Sequence, residues 1–204
     1  MSALADLLRE RILSGAEAPG RPLRQDAIAA ELGVSKIPLR EAMARLEREG
    51  LVRAELNRGW FVRPLDAAEA REVFALRLRL EPELVAIAAI HAGDAEQAAA
   101  SAAFSSLERA TDCDRGAANR AFHLALVLPA DRPVTFDIVE RLHVLADRYV
   151  RKHLEPQGRD ERADSEHRAL LHAWLARDAA AVEALLADHI ARTLDDLEAQ
   201  LKAG

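Results

Sequence analysis

Cysteine occurs once in these 204 residues, as Cys113, so no disulfide can close within the chain and a reducing compartment is expected. Aromatic residues are nearly as scarce. Two Trp, one Tyr and five Phe make up 4% of the chain, and with Ala and Leu abundant this favours packed helices over sheets. No apolar run approaches the about 18 residues that span a bilayer, and no basic-then-apolar leader opens the sequence. A soluble, cytoplasmic protein with no membrane partner is expected. Internal repeats and low-complexity tracts are lacking too, beyond alanine-rich helix faces.

Positive charge is in short supply overall, with a formal net charge of −6, but the shortage is uneven. Residues 1–64 hold 11 Lys and Arg against 9 Asp and Glu, while the remainder holds 17 against 25. A mildly basic N-terminal part therefore precedes an acidic C-terminal one, which points to a division of labour. The weak overall attraction to DNA that this implies favours paired binding by a dimer.

Asp26–Val62, DAIAAELGVSKIPLREAMARLEREGLVRAELNRGWFV, predicts a helix, a tight turn, a second helix and a β-hairpin. Ile28 and Leu32 sit four apart on one face of the first helix. Gly33 stands where a left-handed residue ends it, and Ser35 stands where a hydroxyl would cap the next. Leu39, Met43 and Leu46 line the inner face of the second helix, with Lys36, Arg40, Ala44 and Arg48 on or near the outer one. Gly50 stops it, and Leu51–Glu55 and Gly59–Arg63 can pair around Leu56-Asn57-Arg58. This is the pattern of a winged helix-turn-helix, whose second helix enters the DNA major groove. The helix start offers N–H groups to phosphate, Arg40 can bond guanine in bidentate fashion, and Arg58 can reach an adjacent groove. The plainer alternative is a packing unit whose charges are a solvated face.

The segment resembles the DNA-binding domain of the GntR family of bacterial transcription regulators. Leu4–Ser14 and Pro19-Gly20 match its opening helix and turn, and Leu32–Val52 matches its signature LGVSR-x-PVREAL-x-x-L-x-x-EGLV. The resemblance implies DNA contacts from Ser35, Lys36, Pro38 and Arg40 and from the wing at Asn57, Arg58 and Gly59. Two residues depart from the pattern. Lys36 replaces the usual Arg, losing the planar fork, and Asp26 stands where relatives carry a basic or neutral residue.

Beyond a linker at 65–68, residues 69–204 read as helices only, so the expected fold is mainly α: an N-terminal winged helix-turn-helix followed by an all-helical antiparallel bundle. The spacing predicts helices over Ala67–His91, Asp94–Ala110, Asp114–Leu128, Pro133–Leu154, Asp160–Arg177 and Ala179–Lys202, with a kink at Pro82 and a break at Pro156–Gly158.

Among seven histidines, three fall on apolar stripes: His123 with Phe122 and Leu126, His167 with Leu170, Leu171 and Trp174, His189 with Leu185, Leu186 and Leu197. Asn119 is one turn before His123 on the same face. The last two helices turn near Asp178, with His167 11 residues before it and His189 11 after, so both stand about 16 Å from the turn, level with each other. Such histidines are either satisfied core residues or, taken together, ligands of a divalent metal. His123 and His143 come out offset by about 6 Å, and His91, His143, His153 and His172 read as surface or core-edge residues.

This region resembles the FCD effector domain of the FadR-like GntR subgroup, in LRLRLEPELVAIAA at Leu76–Ala89, NRAFHLAL at Asn119–Leu126 and SEHRALLHAWLARD with LLADHI across Ser165–Ile190. The resemblance implies zinc, nickel or a related ion held by His123, His167, His189 and an aspartate, whose place Asn119 takes here. It implies a small organic acid as effector, a homodimer on a palindromic operator, and repression relieved by ligand. Arg77, on the Val73–Leu80–Leu84 stripe, is the candidate carboxylate clamp. Arg148, flanking Leu142–Leu145–Tyr149, is the second. For each the alternative is a side chain reaching out to solvent. A metal-free regulator using the same cavity is one rival reading. A helical-bundle metalloenzyme is another, but neither an HExxH nor a paired ExxH motif is present, and Glu166 points about 100° away from His167. No enzymatic activity is expected.

Overall fold

The computed structural model describes residues 3–153 and 159–203, apart from the side chains of 112–113, 151–153, 159–161 and 201–203. Leu154 and the Pro156–Gly158 break lie outside the described residues, as does the side chain of His153. The chain forms two compact units, Met1–Asp66 and Ala67–Gly204.

The first unit is the winged helix-turn-helix. It contains α1 (Ala3–Leu13), β1 (Pro22–Leu23), α2 (Gln25–Leu32), α3 (Lys36–Arg48), β2 (Val52–Glu55) and β3 (Gly59–Val62). Leu8, Ile12, Ile28, Leu39, Met43, Leu46, Leu51 and Val62 form its buried core. Gly33 ends α2 at φ 64, in the left-handed region, and its N–H bonds the carbonyl of Ala29. The wing is antiparallel, pairing Val52 with Val62 and Glu55 with Gly59 around a three-residue loop. Strand β1, absent from the sequence-based reading, pairs with β3, so the sheet order is β1-β3-β2. Two residues carry no alternation pattern to read. They are held by the backbone bonds Gly20 N–H to Val62 and Val62 N–H to Arg21, both at 3.0 Å.

The second unit contains α4 (Ala67–His91), α5 (Asp94–Arg109), α6 (Asp112–Val127), a 3-10 turn (Leu128–Ala130), α7 (Pro133–His153), α8 (Arg159–Leu175) and α9 (Ala179–Ala203). Helix α4 is the hub, touching α6, α7, α8 and α9. It continues through Pro82. Phe74, Phe104, Leu107, Phe122, Leu126, Tyr149, Leu170, Trp174, Leu186 and Ile190 are buried among these helices. The α8–α9 hairpin closes at Arg177, whose φ of 58 lets the Asp178 N–H bond Ala173. Asp178 then caps α9 by accepting the Ala181 N–H at 3.1 Å. No helix among the described residues is long and apolar enough to cross a membrane.

Candidate functional site

In the winged unit, the start of α3 is open. Ser35 occupies the cap position with extended backbone, but its hydroxyl makes no capping bond, contrary to the sequence-based expectation. A cap hydroxyl bonds the N–H of the second or third helical residue, and Pro38, the third, has none, which leaves only that of Ile37. No acidic residue stands in the first turn of α3, so its N–H groups keep their positive end uncovered. Lys36, Ile37 and Arg40 are exposed beside it. The wing tip carries Asn57 at φ 60 and Gly59 at φ 88. Arg58 there donates to Glu55 at 2.5 Å, with its guanidinium 5.1 Å from the Phe61 ring centre. The wing is tied to α3 by the Ala54 N–H, which donates to Glu47 at 2.9 Å.

In the helical unit, His123 (α6), His167 (α8) and His189 (α9) converge, one ring nitrogen of each lying within 4.8 Å of the other two. The Nε2 atoms of His123 and His167 are 3.2 Å apart, and the ring centres of His167 and His189 4.6 Å. His123 and His167 are buried, and His189 is nearly so. Burial, and then the positive charge that His167, His189, His143 and Arg77 would bring, hold His123 well below the usual imidazole range. It is therefore neutral at pH 7, the form that ligates metals. Asn119 sits half-buried on α6, one turn before His123.

The cluster can hold a metal ion. Two nitrogens on one tetrahedral zinc, each at about 2.0–2.1 Å, stand about 3.3 Å apart, close to the 3.2 Å between His123 and His167. His189 Nδ1 is 2.8 Å from Glu166 Oε2, which leaves Nε2 as its other ring nitrogen. A carboxylate behind a ligating imidazole fixes its tautomer and raises its basicity. Glu166, read from sequence as turned away from the histidines, reaches His189 on the facing helix, a pairing that no local spacing signals.

Around the cluster the structure corrects the reading of His143. That residue is buried, its Nε2 is 3.1 Å from Glu81 Oε2, and its ring centre is 5.4 Å from that of His123. The offset calculated from sequence treated residues 129–133 as one turn. Instead, the 3-10 turn continues the helical path after α6, with a rise of about 2 Å per residue, and the chain reverses at Asp131, φ 52. His91 and His172 are exposed.

Arg77 is buried, not extended to solvent, and Glu81 takes its Nε at 2.6 Å and Nη2 at 3.2 Å. Burial would raise the Glu81 carboxyl, but the Arg77 charge and then His143 outweigh it and hold it at about 2. Burial lowers His143, so Arg77 is the partner that keeps Glu81 ionised. The Arg77–Glu81 spacing of four on an inner stripe was the available signal for this pair. Arg148 is buried as well, 3.6 Å from Glu69, and does not reach out to solvent.

A winged helix-turn-helix followed by an all-helical unit defines a class, the winged-helix DNA-binding regulator. Residues 1–62 match the family described as bacterial regulatory proteins, gntR family, and residues 72–192 match the FCD domain. The chain belongs to the GntR family of transcription regulators, in the group that carries an FCD domain. It is 28% identical over 195 residues to the HTH-type transcriptional repressor GlaR of Escherichia coli, covering 90% of this chain and 89% of that one. It is 30% identical over 196 residues to the HTH-type transcriptional regulator BphR of Paraburkholderia xenovorans, covering 90% and 79%. Its fold is that of McbR/YncC of E. coli, with a TM-score of 0.83 at 24% identity, covering 98% of this chain and all of that one. GlaR and BphR are transcription regulators by name, and by its family this chain is one too, not an enzyme.

Proposed function

We propose that the chain is a ligand-responsive repressor that acts as a homodimer on a palindromic operator. Its sensing unit is built around a divalent ion, zinc or nickel. His123, His167 and His189 supply the imidazoles and Asn119 the fourth, weaker donor. The single observation that carries this reading is the convergence of three imidazoles from three helices to within 4.8 Å. A bound ion would supply a Lewis-acidic centre able to take a carboxylate oxygen of a small organic acid. Glu166 holds His189 in one tautomer. Arg77 gives two of its five N–H groups to Glu81 and keeps the rest for an effector carboxylate, and Arg148 is the second candidate clamp. On the output side, Ser35, Lys36, Pro38 and Arg40 meet the operator from α3, and Asn57, Arg58 and Gly59 meet it from the wing.

Metal analysis of untagged full-length protein, paired with operator binding before and after chelation, tests the sensing half. A divalent ion is expected in the purified protein. No ion, with thermal stability unchanged by EDTA, would instead support a metal-free regulator. The 3.2 Å between His123 and His167 also suits that second reading, as one neutral imidazole can donate to the other at that distance. For the output half, Arg40→Ala is expected to abolish operator retention in a gel-shift assay with circular dichroism unchanged. Wild-type affinity would overturn the assignment of α3.

A further inference from the structure

The two cations at the start of α3 are both tied to the first two residues of α2. Lys36 Nζ is 2.6 Å from Asp26 Oδ1, and Arg40 Nε donates to Gln25 Oε1 at 3.4 Å. Helix polarity explains the placement. A cation in the first turn of α3 faces the positive end of its own helix, and an anion in the first turn of α2 is well placed on its own. Pairing Asp26 with Lys36 offsets the first with the second. Stability is not the gain, because the two side chains are 80% and 60% exposed and such pairs contribute little. A carboxylate beside a DNA-reading cation also weakens its pull on phosphate, so the arrangement makes sense only for orientation.

We infer that Asp26 is a specificity-determining residue that acts with Lys36 to read one G·C base pair, with Gln25 steadying Arg40 beside it. The inference rests on α3 being the recognition helix. An unpaired lysine is a flexible point charge that settles on the nearest phosphate and reads nothing. Held by Asp26, Lys36 keeps two N–H donors to direct at guanine O6 and N7, while the second Asp26 oxygen can accept from the cytosine N4 amino group. Two donors beside one acceptor follow the acceptor–acceptor–donor order of the G·C major-groove edge, whereas A·T and T·A place the adenine N6 donor between two acceptors.

The test is selection from a duplex library randomised across the half-site. It uses the full-length protein, Asp26→Ala, Lys36→Ala and the double variant, with salt titrations on a non-specific duplex. The wild-type protein should enrich G·C at one position of each half-site. Asp26→Ala should still bind, lose that preference by about tenfold, and steepen the dependence of log K on log salt by about 0.9 for each recognition helix. In the Lys36→Ala background, removing Asp26 should change the preference no further. A preference unchanged in Asp26→Ala but altered in Lys36→Ala overturns the role of Asp26 alone. A preference that Asp26→Ala alters equally with and without Lys36 overturns the pairing. Wild-type binding and preference in both Lys36→Ala and Arg40→Ala overturn the recognition-helix assignment and this inference with it.

Discussion

Glu81 keeps a full charge in the interior of the helical unit because Arg77 lies one helical turn before it and grips both of its oxygens. Removing one member strands the other. Glu81→Gln should therefore lower the unfolding free energy in urea by about 3–5 kcal/mol, whereas Arg77→Met with Glu81→Leu should restore most of it. A carboxyl held at about 2 in the folded state, against an ordinary 4.5, binds protons less readily folded than unfolded. Its contribution is present above pH 4.5 and drains away as pH falls towards 2. Urea titrations across that window should show a slope that becomes shallower in the Arg77→Met, Glu81→Leu pair, the remainder coming from other carboxyls held low, such as Glu49 and Glu166. Glu166 works at the same scale. Glu166→Ala is expected to leave the helical content intact and weaken zinc retention about 10–100-fold in chelator competition. Equal zinc affinity in the variant would mean that His189 is oriented by other contacts.

Elements that repeat a period were legible before any coordinates, and elements fixed by distant partners were not. The α8–α9 hairpin followed from counting residues either side of Asp178, because helical rise is constant, and the rings of His167 and His189 do face each other. The His123–His143 approach was missed because a 3-10 turn has a different rise and carries no sequence mark. Gln25, Asp26 and Glu166 escaped notice as partners for a common reason: each meets a side chain on another element, 10 to 23 residues away. Turn glycines were the opposite case. At Gly33 an added Cβ would meet nothing within 4 Å, so any penalty is backbone alone. Gly33→Ala should cost about 1–2 kcal/mol in urea unfolding. A neutral substitution would show that α2 can end without its left-handed residue.

Across the whole molecule, charge and chemistry are divided between two compact units. The winged unit holds 11 Lys and Arg against 10 Asp and Glu, a net +1, and the acidic remainder carries the imidazole cluster. Ligand linkage follows that division. Calorimetry of the full chain with zinc at a hundredfold excess over Kd should raise the unfolding free energy of the helical unit by about 2.7 kcal/mol and leave the winged unit's transition in place. A single transition that shifts as a whole would show that the two units unfold as one.

The order of the two units along the chain has a consequence in time. The winged unit ends at Asp66, whereas the cluster is complete only with His189. At about 5–20 residues per second, translation adds that last imidazole roughly 6–25 s after the winged unit. Under the proposed function, every nascent copy then carries a finished reading head and an unfinished sensor, so each newly made molecule is deaf to its signal before it can hear it.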